Sequence, residues 1–240
     1  MIVIYIGEII LKNKILYILM EDLETGDLLL FTGYNTGWFS YISEAIKYFT
    51  SSKYSHIGMV LKNPTFIHPS LKGTFIWESS WEAKPDPQDG KIKLGVQITP
   101  LLEILDNYKK NGGHVYSRKL KFLKNRNDNL FYFRNLIEKK LRKNVFNDKI
   151  MKDIHHIVYN KSYDLVPSDW IQAIFRKDNN PQKIDRFWCS ALVGYIYTRV
   201  GILDKKTDWS LLRPSDFSLD KEFLDFTGLS ILDCQEKKIF

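Results

Sequence analysis

Cys189, His56 and Glu78 carry the side chains from which this chain could build a nucleophilic centre. Cys189 lies in DRFWCSALVGYIYTRVG (185–201), where positions 189, 192, 193, 196 and 200 share one face of a helix expected over 187–200 and ended by Gly201. A cysteine on such a face ordinarily serves as a small buried hydrophobe. Asp185 as a cap would set Cys189 in the first turn or just beyond, where unpaired amides and the helix dipole favour a thiolate and can stabilise an oxyanion. His56 opens the strand of YSHIGMVL and is a candidate general base, although a lone histidine at a strand start usually has a structural part. Glu78 closes FIWE; it is either a solvated strand end or the group that holds the imidazole tautomer through the second ring nitrogen. If the two strands are antiparallel neighbours, His56 and Glu78 share one end of the sheet.

The elements that must position these residues follow from hydrophobic period and turn residues. Short apolar runs predict strands at 27–31, 56–61, 74–78, 93–98 and 114–120. Helices are expected at 38–49, at 100–109 with Thr99 as N-cap and Pro100 in the first position, at 128–143 and at 149–159. Residues 1–19 are apolar but carry Glu8, Lys12 and Lys14, which argues against a spanning helix. Residues 1–23 are read as an N-terminal extension, with Met20 as an alternative start, and 24–240 as a single domain with a basic helical insert at about 119–160.

Composition bounds the function classes. The 240 residues are 44% hydrophobic and 26% charged, a globular balance. Two cysteines, Cys189 and Cys234, exclude a disulfide scaffold and a four-cysteine zinc site. The net charge of +7 favours an anionic partner, and Arg118–Lys152 alone carries +9, so the basic character belongs to one segment. His155 and His156 are adjacent on a helix, about 100° apart, and cannot share a metal from one face. Gly33–Gly37 lacks the Lys-Ser/Thr of a phosphate loop, so no nucleotide cofactor is implied, and no cofactor or metal is expected.

TGDLLLF (25–31), YSHIGMVL (54–61), FIWESS (75–80), SYD (162–164), FWCSALVGYIY (187–197) and RPSDF (213–217) occur in an order that resembles the circularly permuted papain-like group of the NlpC/P60 superfamily. That group includes bacterial YiiX-like proteins, lecithin–retinol acyltransferase relatives and a poxvirus branch. The resemblance covers residues 24 to about 218, with the insert poorly matched, and rests mainly on Gly26-Asp27, Ser55-His56-Ile57-Gly58 and Cys189-Ser190. It implies an α+β fold in which an antiparallel sheet packs on the helix bearing the cysteine. It also implies Cys189 as nucleophile, His56 as base and Glu78 as orienting residue. The oxyanion donors would be the Cys189 amide and, from its place beside His56, Tyr54. The chain departs from the pattern at Ala191, where the family often has Glu.

The expected function is a cysteine-dependent hydrolase or acyltransferase that acts on an amide, ester or thioester of a peptide or lipid through a thioacyl-enzyme. The alternative is a catalytically inactive module that docks on an anionic membrane through Arg118–Lys152, or less favourably on nucleic acid, with which no RNA-reading motif is associated. The expected location is the cytoplasm, with peripheral membrane association; a Lys-, Asn- and Ile-rich composition also fits a viral source, and then the host cytoplasm or virion.

Overall fold

The computed structural model describes residues 20–33, 52–122, 131–165, 182, 184–220, 224–228 and 230–240. The helix expected at 38–49 and the reading of residues 1–19 fall outside them. The chain is mixed α+β, built on one eight-stranded sheet. Its strands are β1 (Leu28–Thr32), β2 (His56–Lys62), β3 (Thr74–Pro85), β4 (Ile92–Pro100), β5 (His114–Phe122), β6 (Ser162–Tyr163), β7 (Arg186–Phe187) and β8 (Ser230–Lys238). They lie in the order β7-β6-β4-β3-β2-β1-β5-β8, antiparallel except for the short parallel pair β6–β7. The described helices are α1 (Leu101–Lys110), α2 (Phe131–Val145), α3 (Asp148–Val158) and α4 (Cys189–Arg199). None of them is long and apolar enough to cross a membrane.

Strand alternation divides the core between the two faces of the sheet. Leu28, Leu30, Ile57, Met59 and Trp77 face α3 and α4, while Leu29, Phe31, Val60 and Ile76 face α1. Both faces are covered, which is why β1 reads as an unbroken apolar run rather than an alternating one. Met20 and Leu23 also pack on the α1 side.

Three differences from expectation matter for the site. β3 does not stop at Glu78 but continues to Pro85, with a register shift beyond Trp81. Helix α4 is not amphipathic: every residue from Cys189 to Tyr197 is buried, because Trp209, Leu212 and Phe217 close over the side turned from the sheet. Helix α4 also begins at Cys189, with Trp188 as N-cap and no side-chain cap. Asp185 is not the cap, because Arg186 and Phe187 are extended and paired with β6.

The insert is part of the core. Phe146, Met151, Ile154 and Val158 belong to the main apolar cluster. Arg142, which docking of Arg118–Lys152 on an anionic membrane would place at the surface, is buried: Nη1 donates to Asp27 Oδ1 at 3.0 Å and to the Thr25 carbonyl at 2.8 Å, and Nη2 donates to the Leu120 carbonyl. Asp27 is wholly buried and also accepts from the Leu120 amide at 3.0 Å and the Glu24 amide at 3.0 Å. Arg118 is likewise internal, donating to the carbonyls of Asp233 and Phe217, each at 2.9 Å.

Removing one partner of a buried ion pair leaves the other charge unpaired, at a cost of about 3–5 kcal/mol. Arg142→Met should therefore lower the unfolding free energy by that amount in urea titrations. Lys139→Met, at an exposed position of the same helix, should change it by less than about 0.5 kcal/mol. Equal effects of the two would remove the Asp27–Arg142 pair from the stability of the fold.

Candidate active site

His56 and Glu78 sit on neighbouring antiparallel strands. The β2–β3 ladder runs from Lys62↔Thr74 to Met59↔Trp77 and stops there, short of both residues. Just beyond that end of the ladder, His56 Nε2 lies 2.7 Å from Glu78 Oε2. Glycine at 58 keeps the approach open, since a Cβ there would stand 2.3 Å from Ile76 Cγ2 and 3.4 Å from Glu78 Cβ.

Glu78 is not a solvated strand end; its side chain is 0% exposed, against 13% for His56. Its second oxygen accepts from Thr99 Oγ1 at 2.6 Å. Thr99 was expected to cap α1, but Pro100 holds the N-cap position without a side-chain bond. The hydroxyl orients the carboxylate instead, and both carboxylate oxygens are thus committed.

Cys189 is the first residue of α4 and is 2% exposed. The first intrahelical bond runs from the Leu192 amide to the Trp188 carbonyl at 3.1 Å, so the amides of Cys189, Ser190 and Ala191 make none. No acidic residue occupies the first turn. Ser190 Oγ donates instead to the Leu212 carbonyl at 2.7 Å and Trp188 Nε1 to the same oxygen at 3.2 Å, which anchors the helix start.

The Cys189 thiol is the neighbour that acts most strongly on the imidazole. With Nε2 held by Glu78, Nδ1 is the nitrogen left for the sulfur. Burial alone would lower the His56 pKa, but Cys189, by hydrogen bond and charge, and then Glu78 outweigh it and push the value up to about 10. The imidazolium is therefore the favoured form across neutral pH, wedged between sulfur and carboxylate. Such an arrangement can keep the sulfur nucleophilic and return a proton to a leaving group.

Tyr54 does not join this cluster. Its phenol donates to Glu236, and burial followed by that carboxylate raises its pKa far above the ordinary value. Tyr163 is within reach of the Cys189 charge: burial, then the charges of Cys189 and Asp164, hold its phenol well above the ordinary pKa, hence as a neutral O–H. Tyr163 is brought there by β6, which approaches β4 at Gly95; a Cβ at that position would lie 2.2 Å from the Lys161 carbonyl oxygen. Tyr163 lay in the SYD segment, yet nothing in the sequence assigned it a part. Glu82 was also missed. It lies two alternations beyond Glu78 on β3, where burial and the Glu78 charge raise its pKa to about 7.

Compared with models of known protein families and with curated protein sequences, the chain matches none.

Because folding raises the His56 pKa, imidazolium formation stabilises the fold fully below the unfolded value near 6.5, and that contribution is lost as pH rises through about 10. Glu78→Gln removes the anion but keeps the shape. In NMR titrations of the imidazole it should lower the His56 pKa by roughly 1–3 units. An unchanged titration would dissociate Glu78 from the histidine.

Proposed function

We propose that this chain is a cysteine-dependent hydrolase or acyltransferase of the permuted papain-like type, acting on an amide, ester or thioester. The observation that carries the reading is the His56–Glu78 pair at 2.7 Å with Cys189 acting on the imidazole, the sulfur lying at the first position of a helix whose opening amides make no intrahelical bond. The chain order supports the permuted reading, since the histidine strand precedes the cysteine helix and the sheet is largely antiparallel.

In the proposed reaction the Cys189 sulfur attacks the acyl carbon and the former carbonyl oxygen becomes an anion. The amides at the start of α4 are the donors offered to that anion. The His56 imidazolium then protonates the leaving amine, alcohol or thiol, and a thioacyl-enzyme remains. Water or an acceptor nucleophile, deprotonated by His56, releases the acyl group and restores the thiol. Glu78 keeps Nε2 protonated and the ring in plane, and Thr99 keeps Glu78 in place.

Incubation with an activated ester such as p-nitrophenyl acetate should release p-nitrophenol and add one acetyl group at Cys189, seen by mass spectrometry of peptides. Cys189→Ser should abolish both signals, and Cys234→Ser should leave them unchanged. Equal acetylation of Cys189 and the exposed Cys234, or release that survives Cys189→Ser, would sink the proposal.

A second reading concerns the basic segment. Arg118, Lys119 and Arg142 are spent internally, Lys119 on Asp22 and Asp27. What remains on α2 is a narrow face in which Leu136, 66% exposed, is followed by exposed Lys139, Lys140 and Lys143. The spacing puts all four on one side of the helix. An apolar residue among cations supports contact with an anionic membrane, each lysine contributing about 1 kcal/mol near the headgroups. Co-sedimentation with phosphatidylserine-containing vesicles should exceed that with neutral vesicles and disappear in Leu136→Ser/Lys139→Glu/Lys140→Glu. Gel shifts with unrelated nucleic acids in place of vesicle binding would assign the face to nucleic acid, and binding to neither would leave it as solvated surface.

A further inference from the structure

The bond to Glu78 fixes one nitrogen of the His56 ring and leaves the ring's tilt open. The second side-chain torsion of histidine is broad, so a single contact at Nε2 lets Nδ1 swing about it, and Nδ1 is the nitrogen left for the Cys189 sulfur. A contact on the ring itself closes that freedom, and β1 supplies one. Phe31 pairs with His56 in the β1–β2 register, so both side chains leave the sheet on the α1 side. Their rings are in tilted contact, with centroids 5.2 Å apart and planes at 44°. The Ser55 amide donates to the Phe31 carbonyl at 3.0 Å, which ties the two backbones together beside the contact. Phe31 is itself wholly buried, and Tyr108 of α1 packs on it with centroids 4.6 Å apart. Tyr108 is held by the turn that ends α1, where the Gly113 amide donates to its carbonyl at 2.8 Å and a Cβ at Gly113 would stand 2.8 Å from its Cδ1. Rings from β2, β1 and α1 thus form one packed series that ends on the imidazole.

We propose that Phe31, backed by Tyr108, is a positioning residue of this site: its ring sets the tilt of the His56 imidazole and so aims Nδ1 toward the Cys189 sulfur. The inference rests on the reading of Cys189, His56 and Glu78 as a nucleophilic centre. Phe31 carries no charge and exchanges no proton. It acts only through the ring it packs on.

The two neighbours divide the work. Glu78 sets the tautomer and the position of Nε2, and Phe31 sets the rotation that remains. A hydrogen bond favours the charged form of its acceptor, but it weakens steeply as the donor turns away. Without the Phe31 ring the bond to Glu78 survives, while Nδ1 samples directions away from the sulfur. The thiol then moves toward its free value near 8.5. The charged groups about the imidazole are Glu78 of β3 and Cys189 of α4, with Glu82 acting from farther along β3. Substitution at Phe31 changes none of them, so a shifted profile reports the aim of the ring.

The test follows alkylation of Cys189 by iodoacetamide against pH, on the full chain in a Cys234→Ser background. The sulfur–carbon bond forms and iodide leaves, so the midpoint of the profile reports the thiol. Phe31→Leu, which keeps apolar bulk but removes the planar ring, should raise the midpoint by about 0.5–1 unit toward the free-thiol value. Phe31→Tyr, which keeps the ring, should return it to that of the unsubstituted chain. Tyr108→Leu, which loosens Phe31 from outside the site, should raise it by a smaller amount; it serves as the readout if Phe31→Leu melts abnormally. Val60→Ala cuts into the same buried layer two alternations along β2, about 13 Å from His56. It should lower the melting temperature and leave the midpoint in place. A midpoint unmoved in both leucine variants overturns the inference and leaves the nucleophilic centre standing. So does a midpoint that Val60→Ala moves as far as Phe31→Leu does, or one that Phe31→Tyr fails to restore. An unsubstituted profile that already rises near 8.5 overturns both.

Discussion

A carboxylate with no access to water organises the centre of this molecule. Glu78 is fully buried, and an isolated ion in that position would cost several kcal/mol. It is tolerated because one oxygen meets His56 at 2.7 Å and the other meets Thr99 at 2.6 Å. Each partner then constrains its surroundings. His56 meets the carboxylate just past the end of the β2–β3 ladder, beside a residue 58 that has no side chain to crowd Ile76 and Glu78. Thr99 can supply its hydroxyl only if α1 starts without it, which the fixed φ of Pro100 helps to make possible. A strand end, a glycine and a helix start are thus all set by the need to satisfy one charge.

Asp27 poses the same problem on β1 and solves it with residues from farther away. It accepts from Arg142 of α2 and from the backbone of β5, and the Arg142 guanidinium lies over the Phe122 ring, 5.5 Å from its centroid. The basic insert is therefore not an appendage whose charge serves only solubility. At the other end of the same insert, His155 and Tyr159 of α3 bond to Gln88 and Asp89 of the β3–β4 turn, at 2.7 and 2.8 Å. Hydrogen bonding at both ends and apolar packing between them fasten the insert across the sheet.

The strands at 56–61 and 93–98, and the helix at 149–159, were legible because period and punctuation act locally. So was the meeting of His56 and Glu78, since adjacent antiparallel strands leave little freedom in which ends coincide. What escaped reading was how hydrogen-bonding groups would be spent. Thr99 looked like a helix cap because its sequence context is that of one; its use by Glu78 depends on a strand 21 residues away. Arg142 looked exposed because α2 is basic around it, and only the buried acid at Asp27 explains why it turns inward. Tyr54 looked like an oxyanion donor from its neighbour in sequence, whereas its phenol is taken by Glu236, 182 residues on. Tyr163 depends on a two-residue strand, too short to register as a pattern.

The site is assembled from parts of very different sequence separation, and this divides its sensitivities. The His56–Glu78 pair spans 22 residues and is made by strands that adjoin in the sheet. Cys189 arrives from the far side of the insert, held by the docking of α4 beneath Trp209 and Leu212; a Cβ at Gly194 would lie 2.5 Å from Leu212 Cδ1. Loop-closure entropy grows slowly with length, but docking must be repaid by contacts, and here those contacts are apolar and remote from the chemistry. Loosening that packing would displace the sulfur while leaving the imidazole–carboxylate pair whole. The extended residues Arg186 and Phe187 limit such displacement from the other direction, since their pairing with β6 fixes where the helix can begin. The same strand carries Tyr163, so one short pairing registers both the start of the cysteine helix and that phenol.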